Sequence, residues 1–440
     1  MRRTFALLVA ASALSLGVAL APEIAQAAVV GHVRVAIDSG ARFPNYAWTA
    51  DHEQVVVLPP WDLSELYALK AANPSVKVLM YKNVSAASSS YSGDGNYSSG
   101  VSYQQAVANG WLLRNTSGSP FTFQNYPWLW AADVGSTAYQ HAWASNVIAQ
   151  LQAAPWDGVL LDDVNPTIRY HYCVGCVAAY PSDTRYADAM QSFLEYVGPQ
   201  LRDAGKLAIA NLGSWSAYPS VVDPWLKYLS GAMDEEFVKW GEQPRSGYAG
   251  PGTWATQLQE LKDTVNAGKL FIGITHSSNS DEHAAVYGFA TELLAGNGKA
   301  EFTMTSNYSG EPWFTEYDYN LGSPAGAYHK KSSGVYERSF KNGLVVVNPT
   351  LSKVTVAFGV AYSGSGLNDA TEATLAPHSG LVLVRSDSPA AASIAQAGRR
   401  GPGGASGVRH GRLRRDRSHR RHHRHHHRHR RHRRHRARRS

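Results

Sequence analysis

Two short stretches carry an apolar run straight into a cluster of acids: GVLLDD at residues 158–163 and GAMDEE at residues 231–236. Neighbouring carboxylates at the edge of a core repel each other and lose hydration, so a chain that keeps them there uses them to bind or to react. Strand side chains alternate, which predicts that Asp162 and Asp163 cannot both face the same side. Asp162 stands at the same offset from Gly158 as Glu235 does from Gly231. Strands entered in one register would then aim these two acids inward together. A short aspartate held at a strand end suits a nucleophile, and a longer glutamate beside Phe237 and Trp240, its pKa raised by those rings, suits an acid/base. Such a pair is the minimum equipment for glycoside hydrolysis. Glu236 competes with Glu235 for the acid/base role, while Asp163 and Asp234 fit supporting or capping roles. Any one of these acids alone is more simply a helix cap, since the helix dipole favours acids there. Two clusters at two strand ends favour chemistry.

Other strand ends carry the groups a sugar site uses. Asp38 closes VRVAID, Tyr81 ends VKVLMY at 76–81 with Asn83 just after it, Asn211 closes LAIANL, and His276 follows LFIGIT. With Asp163 and Trp240, these are the candidate substrate-binding residues. Trp48, Trp128, Trp130, Trp215 and Trp240 fall in expected loops, where flat rings stack on the apolar face of a pyranose.

The elements that must position these groups follow from the apolar pattern. Eight short runs read as strands: 33–38, 54–59, 76–81, 158–163, 207–212, 231–236, 270–275 and 300–305. Helical stretches are expected at 62–72, 136–154, 183–204, 218–229, 254–267 and 281–295. Asp62, Ser136 and Asp183 are polar starts, and Gly205 and Gly268 are stops. Eight β-then-α units predict a (β/α)8 TIM barrel, whose active site gathers at the C-terminal strand ends; a doubly wound open sheet is the alternative. The long stretch 82–135, rich in Ser, Gly, Asn, Tyr and Trp, is expected to be an ordered binding insertion. Beyond about residue 325, short alternating strands around Asn342-Gly343 predict a small antiparallel β-sandwich domain.

Arg2, Arg3, the apolar residues that follow and Ala25-Gln26-Ala27 have the pattern of a signal peptide, which predicts a secreted protein. The divisions expected are thus 1–27 signal peptide, 28–325 barrel, 326–387 β domain and 388–440 disordered linker with an Arg/His-rich tail. No later segment is apolar enough for a membrane span. The net charge of +8 conceals two opposite parts. Residues 399–440 hold 18 Arg and one Asp, leaving 24 basic against 33 acidic residues elsewhere. A specific nucleic-acid partner is therefore not expected, and the tail points either to contact with anionic wall polymers or to nonspecific binding of metal or nucleic acid. The two cysteines, Cys173 and Cys176, predict a local disulfide in an exported chain; a zinc site would need more ligands than His171 supplies. Motifs for phosphate cradling, serine hydrolysis or zinc proteolysis are missing, and no cofactor or metal is expected.

WDGVLLDD at 156–163, GAMDEEF at 231–237 and FKNGLVVVNP at 340–349 resemble the hypothetical glycosyl hydrolase 15-like family of secreted bacterial proteins. That family is more loosely related to endo-α-1,4-polygalactosaminidase and α-galactosidase-type barrels. The resemblance covers roughly residues 30 to 387. It implies a barrel with a C-terminal β domain, a strand-four nucleophile at Asp162 and a strand-six acid/base at Glu235 or Glu236. The expected protein is a glycoside hydrolase acting on an oligo- or polysaccharide by a two-carboxylate, retaining mechanism. A non-catalytic carbohydrate-binding barrel is the second reading, which the carboxylate separation distinguishes.

Overall fold

A computed structural model describes residues 31–36, 43–90, 97–308, 310, 312–392 and 394. Asp38, the segment expected to be a signal peptide and the Arg/His run lie outside the described residues.

Eight parallel strands run Gly31–Val35, Val55–Leu58, Lys77–Asn83, Gly158–Val164, Leu207–Leu212, Gly231–Asp234, Leu270–His276 and Ala300–Thr305. Each pairs with its sequence neighbour, and the eighth returns to the first through Gly31 opposite Glu301. That last pairing closes a barrel and removes the open-sheet alternative. Parallel strands covered on both faces need apolar residues in both phases, which is why the runs are nearly continuous in sequence. One phase fills the barrel: Val33, Val35, Val55, Val57, Leu79, Leu160, Ile209, Met233, Ile272 and Ile274 are all buried there. The other phase, including Met80, Leu161, Ala210 and Ala232, packs outward against the helices. Fully burying each large aliphatic contributes about 1.5–3 kcal/mol, so the interior layer holds the strands in fixed register.

The outer helices include Tyr46–His52, which the sequence pattern did not suggest, then Leu63–Ala72, Thr137–Ala153, Asp183–Asp203, Pro251–Asn266 and Glu282–Ala295. Ser136 caps its helix by accepting from the Tyr139 N–H. The cap of Asp183–Asp203 is Ser182 and not Asp183, because the Asp183 carboxylate is engaged by Thr167 and Arg169. Asp62 makes no capping bond with its side chain. Gly205 and Gly268, at φ 71° and 76°, adopt the left-handed turn that ends a helix and lets the next N–H groups close back on it. The helix expected over 218–229 is broken into Pro219–Val222 and a 3-10 turn, Asp223–Tyr228. Pro224 lacks the N–H that a continuing helix would need.

Two further sheets dress the barrel. The insertion after the third strand forms Ala86–Ser88, Thr122–Phe123 and Tyr126–Ala131, with the last in the middle. The C-terminal module is a six-stranded antiparallel sheet spanning His329–Arg385. Val345, Val347, Val382 and Val384 pack toward the barrel helices. Leu344, Val346 and Leu383 face the other way and join Val356, Tyr362 and Leu375 of the long hairpin in a second small core.

Candidate active site

The phase that fills the barrel does not stop at its apolar layer. Two residues beyond Leu79 stands Tyr81, beyond Leu160 Asp162, beyond Ile209 Asn211, beyond Met233 Glu235, and beyond Ile274 His276. Because the side-chain period is two, those five polar groups project into the space directly above the apolar plug. They meet there. Tyr81 Oη donates to Asp162 Oδ2 at 2.5 Å. Asn211 Nδ2 donates to Asp162 Oδ1 at 2.9 Å and to Glu235 Oε2 at 2.7 Å. The amide thus presents its NH2 to both acids and turns Oδ1 away. That oxygen is buried and has no hydrogen-bond partner among the described residues.

The second oxygen of Glu235 is held from the other side. Tyr308 Oη donates to Oε1, and His276 Nε2 lies 3.8 Å from the same atom and 3.1 Å from the Tyr308 hydroxyl. The exposed Trp240 ring tilts over His276 with centroids 4.0 Å apart. Tyr308, at φ 60°, is a functional residue that the sequence pattern missed. It lies past the end of the eighth strand, where no periodicity marks it.

Asp162 and Asp163 both reach the mouth, contrary to the alternation expected of a regular strand. Pairing with the fifth strand slips between Leu161 and Val164, and Asp163 takes φ 59°. This bulge returns its carboxylate to the cleft side. Asn83 donates to Asp163 Oδ2, and His171 Nε2 lies 3.0 Å from Oδ1. His171 is therefore a partner of Asp163, and Cys173 and Cys176 are bonded to each other. Asp234 lies in the outward phase: its carboxylate receives the Glu236 N–H and Gln257 Nε2, fixing the turn that presents Glu235. Glu236 sits exposed at the rim. Lys82, also outward, is buried and donates to Tyr97 O at 2.6 Å. Trp215 is buried beneath the loops, so its ring is not a stacking surface. Trp48 packs with His52 and Trp313.

A cavity of about 390 Å³ opens beside the group and is lined by Asp163, Asn211, Glu235, Glu236, Tyr126 and Trp240 among others, while Asp162, Tyr81 and His276 stand outside its lining. Its electrostatics set the two central acids apart. Burial, then the charges of Asp163 and Glu235, push Asp162 up to about 7. Burial also opposes the charge on Glu235, but His276, Tyr308 and Asn211 outweigh it and hold that carboxyl below its usual range. The raised Glu235 pKa expected from Phe237 and Trp240 is thus not found: Phe237 packs into the core, and three donors face the carboxylate. Asp163 is likewise opposed by burial and held low by His171, Asn83 and Asn165.

A closed (β/α)8 barrel bearing two bridged carboxylates at its C-terminal mouth has the parts of a glycoside hydrolase. The model of the hypothetical glycosyl hydrolase family 15 matches residues 70–344, and the chain belongs to that family. It is a glycoside hydrolase, with a carbohydrate as substrate. No curated protein sequence matches it. Solved structures with a similar chain path include Aspergillus fumigatus Ega3 complexed with galactosamine, at 11% identity and TM-score 0.39, covering 65% of this chain and 94% of that one. A noncanonic maltogenic α-amylase, AmyB, from Thermotoga neapolitana is similar at 12% identity and TM-score 0.47, covering 82% and 99%. A GH27 β-L-arabinopyranosidase from Geobacillus stearothermophilus is similar at 8% identity and TM-score 0.45, covering 82% and 97%. The family match, not these distant likenesses, identifies the enzyme class.

Proposed function

We propose that the protein is a retaining glycoside hydrolase of an extracellular or cell-surface polysaccharide, with Asp162 as nucleophile and Glu235 as general acid/base. The observation that carries this is the Asn211 bridge. Both facing carboxylate oxygens lie within 2.9 Å of one nitrogen, so they are at most 5.6 Å apart. Retaining enzymes keep their carboxyl groups about 5–5.5 Å apart, whereas inverting ones leave about 6.5–9.5 Å for a water.

In the first step an Asp162 oxygen bonds to the anomeric carbon, the glycosidic C–O bond breaks, and the Glu235 proton passes to the departing oxygen. In the second, Glu235 takes a proton from water, the water oxygen replaces Asp162 at the anomeric carbon, and Asp162 leaves as carboxylate. Two acids this close cannot both ionise cheaply, so the pair works with one shared proton. Burial and the charges of Asp163 and Glu235 favour that proton on Asp162. Positive charge developing on the sugar ring beside Asp162 favours its ionised form and moves the proton to Glu235. His276 and Trp240 hold the sugar and Asp163 keeps a fixed negative charge beside it, whereas Asn83, expected to bind substrate, is buried with its amide engaged by Asp163 and the Ser85 N–H.

Export is supported by the basic-then-apolar N-terminal segment and by the Cys173–Cys176 bridge, a bond typical of oxidising compartments. The Arg/His run gives the exported enzyme a means of staying on anionic wall polymers. Deleting residues 399–440 should release it from cell walls at low salt; undiminished retention overturns that role. The catalytic reading is tested by digesting soluble starch, dextran, xylan, pectin, carboxymethylcellulose and glycol chitosan. Asp162→Asn and Glu235→Gln should each lower turnover of the cleaved polymer by about a thousandfold. Full activity in either variant removes that residue from the mechanism.

A further inference from the structure

The middle strand of the insertion, Tyr126–Ala131, has an unusual division of faces. Leu129 and Ala131 point into the core at 8% and 1% exposure, while Tyr126 and Trp128 are 47% and 44% exposed. Trp130, in the same phase, is half-buried against Tyr103 at 5.3 Å between centroids. Three aromatic rings therefore follow one another along the outer face of a single strand. At about 3.4 Å per residue they span roughly 13 Å, longer than one sugar ring needs. The residues between and beside them, Gln124, Asn125 and Pro127, are exposed, so polar groups flank the apolar surface. Tyr126 and Trp128 meet edge to face, 5.8 Å between centroids and 86° between planes, so the row presents its rings in turn rather than as one flat platform. With hydrogen-bonding neighbours it suits a carbohydrate chain, which offers apolar ring faces and a rim of hydroxyls. A protein partner would need a larger, more aliphatic patch.

The row is fixed to the active site. Trp130 pairs with both Ala87 and Thr122, and the Trp128 carbonyl accepts the Ser89 N–H at 2.8 Å. At the turn of the hairpin, Phe123 stacks flat on His171 with centroids 3.6 Å apart, and the Gln124 N–H donates to His171 O. His171 in turn faces Asp163. Tyr126 forms part of the wall of the cavity that contains Glu235, and Trp240, carried by the loop after the sixth strand, stands across the mouth.

We propose that Tyr126, Trp128 and Trp130 form a row of subsites that binds sugar units of a polymeric substrate beyond those at the point of cleavage. This rests on the glycosidase reading of the cavity and extends it to a chain-binding cleft. The test compares wild type with Trp128→Ala and Trp128→Phe on whichever polymer of the six-member panel is cleaved, and on a trisaccharide of the same sugar. Trp128→Ala should lower kcat/KM on the polymer roughly tenfold and leave the trisaccharide unchanged, and Trp128→Phe should recover most of the loss. Equal loss on both substrates, or none on the polymer, overturns the proposal. Retardation of Asp162→Asn in native gels cast with each polymer separates the two readings. Retardation that Trp128→Ala abolishes, without cleavage by wild type, keeps the row and removes the hydrolase mechanism; neither retardation nor cleavage by any polymer removes both. A dimer of the wild type that Trp128→Ala dissolves, with polymer kinetics unchanged, assigns the rings to self-association and overturns the proposal.

Discussion

Asn211 Nδ2 stands 2.7 Å from Glu235 Oε2 and spends its second hydrogen on Asp162, so one amide sets the gap between the two central acids. Hydrogen bonds to charged groups contribute about 1.5–3 kcal/mol. Asn211→Ala should therefore lower kcat by roughly ten- to a hundredfold with little change in thermal stability. Steady-state kinetics beside a melting curve checks this; a parallel collapse of stability would make Asn211 structural.

The shared proton makes the pH dependence predictable in sign. Asp162 is raised to about 7 by burial and its acidic neighbours, so above that pH the pair loses its one proton and with it the acid for the leaving group. The kcat/KM profile should fall on the alkaline side of about 7. Tyr308→Phe removes a donor that favours ionised Glu235, so the pair should hold its proton to higher pH and the alkaline limb should move up. An unmoved limb with lowered kcat would limit Tyr308 to positioning.

Glu260 offers a separate test, through stability. It is buried behind the sixth strand with neither carboxyl oxygen hydrogen-bonded among the described residues. Burial, then Asp234 and Asp223, raise it to about 9. A carboxyl raised by folding gives its full stability below the ordinary carboxylate range and loses it as pH climbs toward the folded value. Wild type should therefore melt at falling temperature between about pH 5 and 9, with Asp234, raised to about 7, adding to the trend. Glu260→Gln should flatten that slope, read by scanning fluorimetry across pH.

Leu160 links packing to catalysis, because it lies in the interior layer directly beneath Asp162. Leu160→Ala should cost about 2–5 kcal/mol of stability, seen as a lower midpoint in urea. It should also reduce kcat at temperatures where the variant is still folded, since the strand end that carries Asp162 loses its support.

The sequence alone determined the eight strands, five of the surrounding helices and the shared phase of Asp162 and Glu235, because strand periodicity is local and each apolar run carries its own; it missed the helix Tyr46–His52 and did not show the break within 218–229. It also marked the insertion at 82–135 as ordered, and its described residues, 82–90 and 97–135, form a three-stranded sheet and a helix. Tertiary structure decided which groups touch. Tyr81 and Asp162 are 81 residues apart, and Tyr308 and Glu235 are 73 apart. Their meeting depends on the order and stagger of strands in a closed barrel, which no local pattern encodes. The bulge at Asp163, the Asn211 bridge and the donors that depress Glu235 belong to the same class. Each arises from the relative placement of separate strand ends, and so appears only once the eighth strand has found the first.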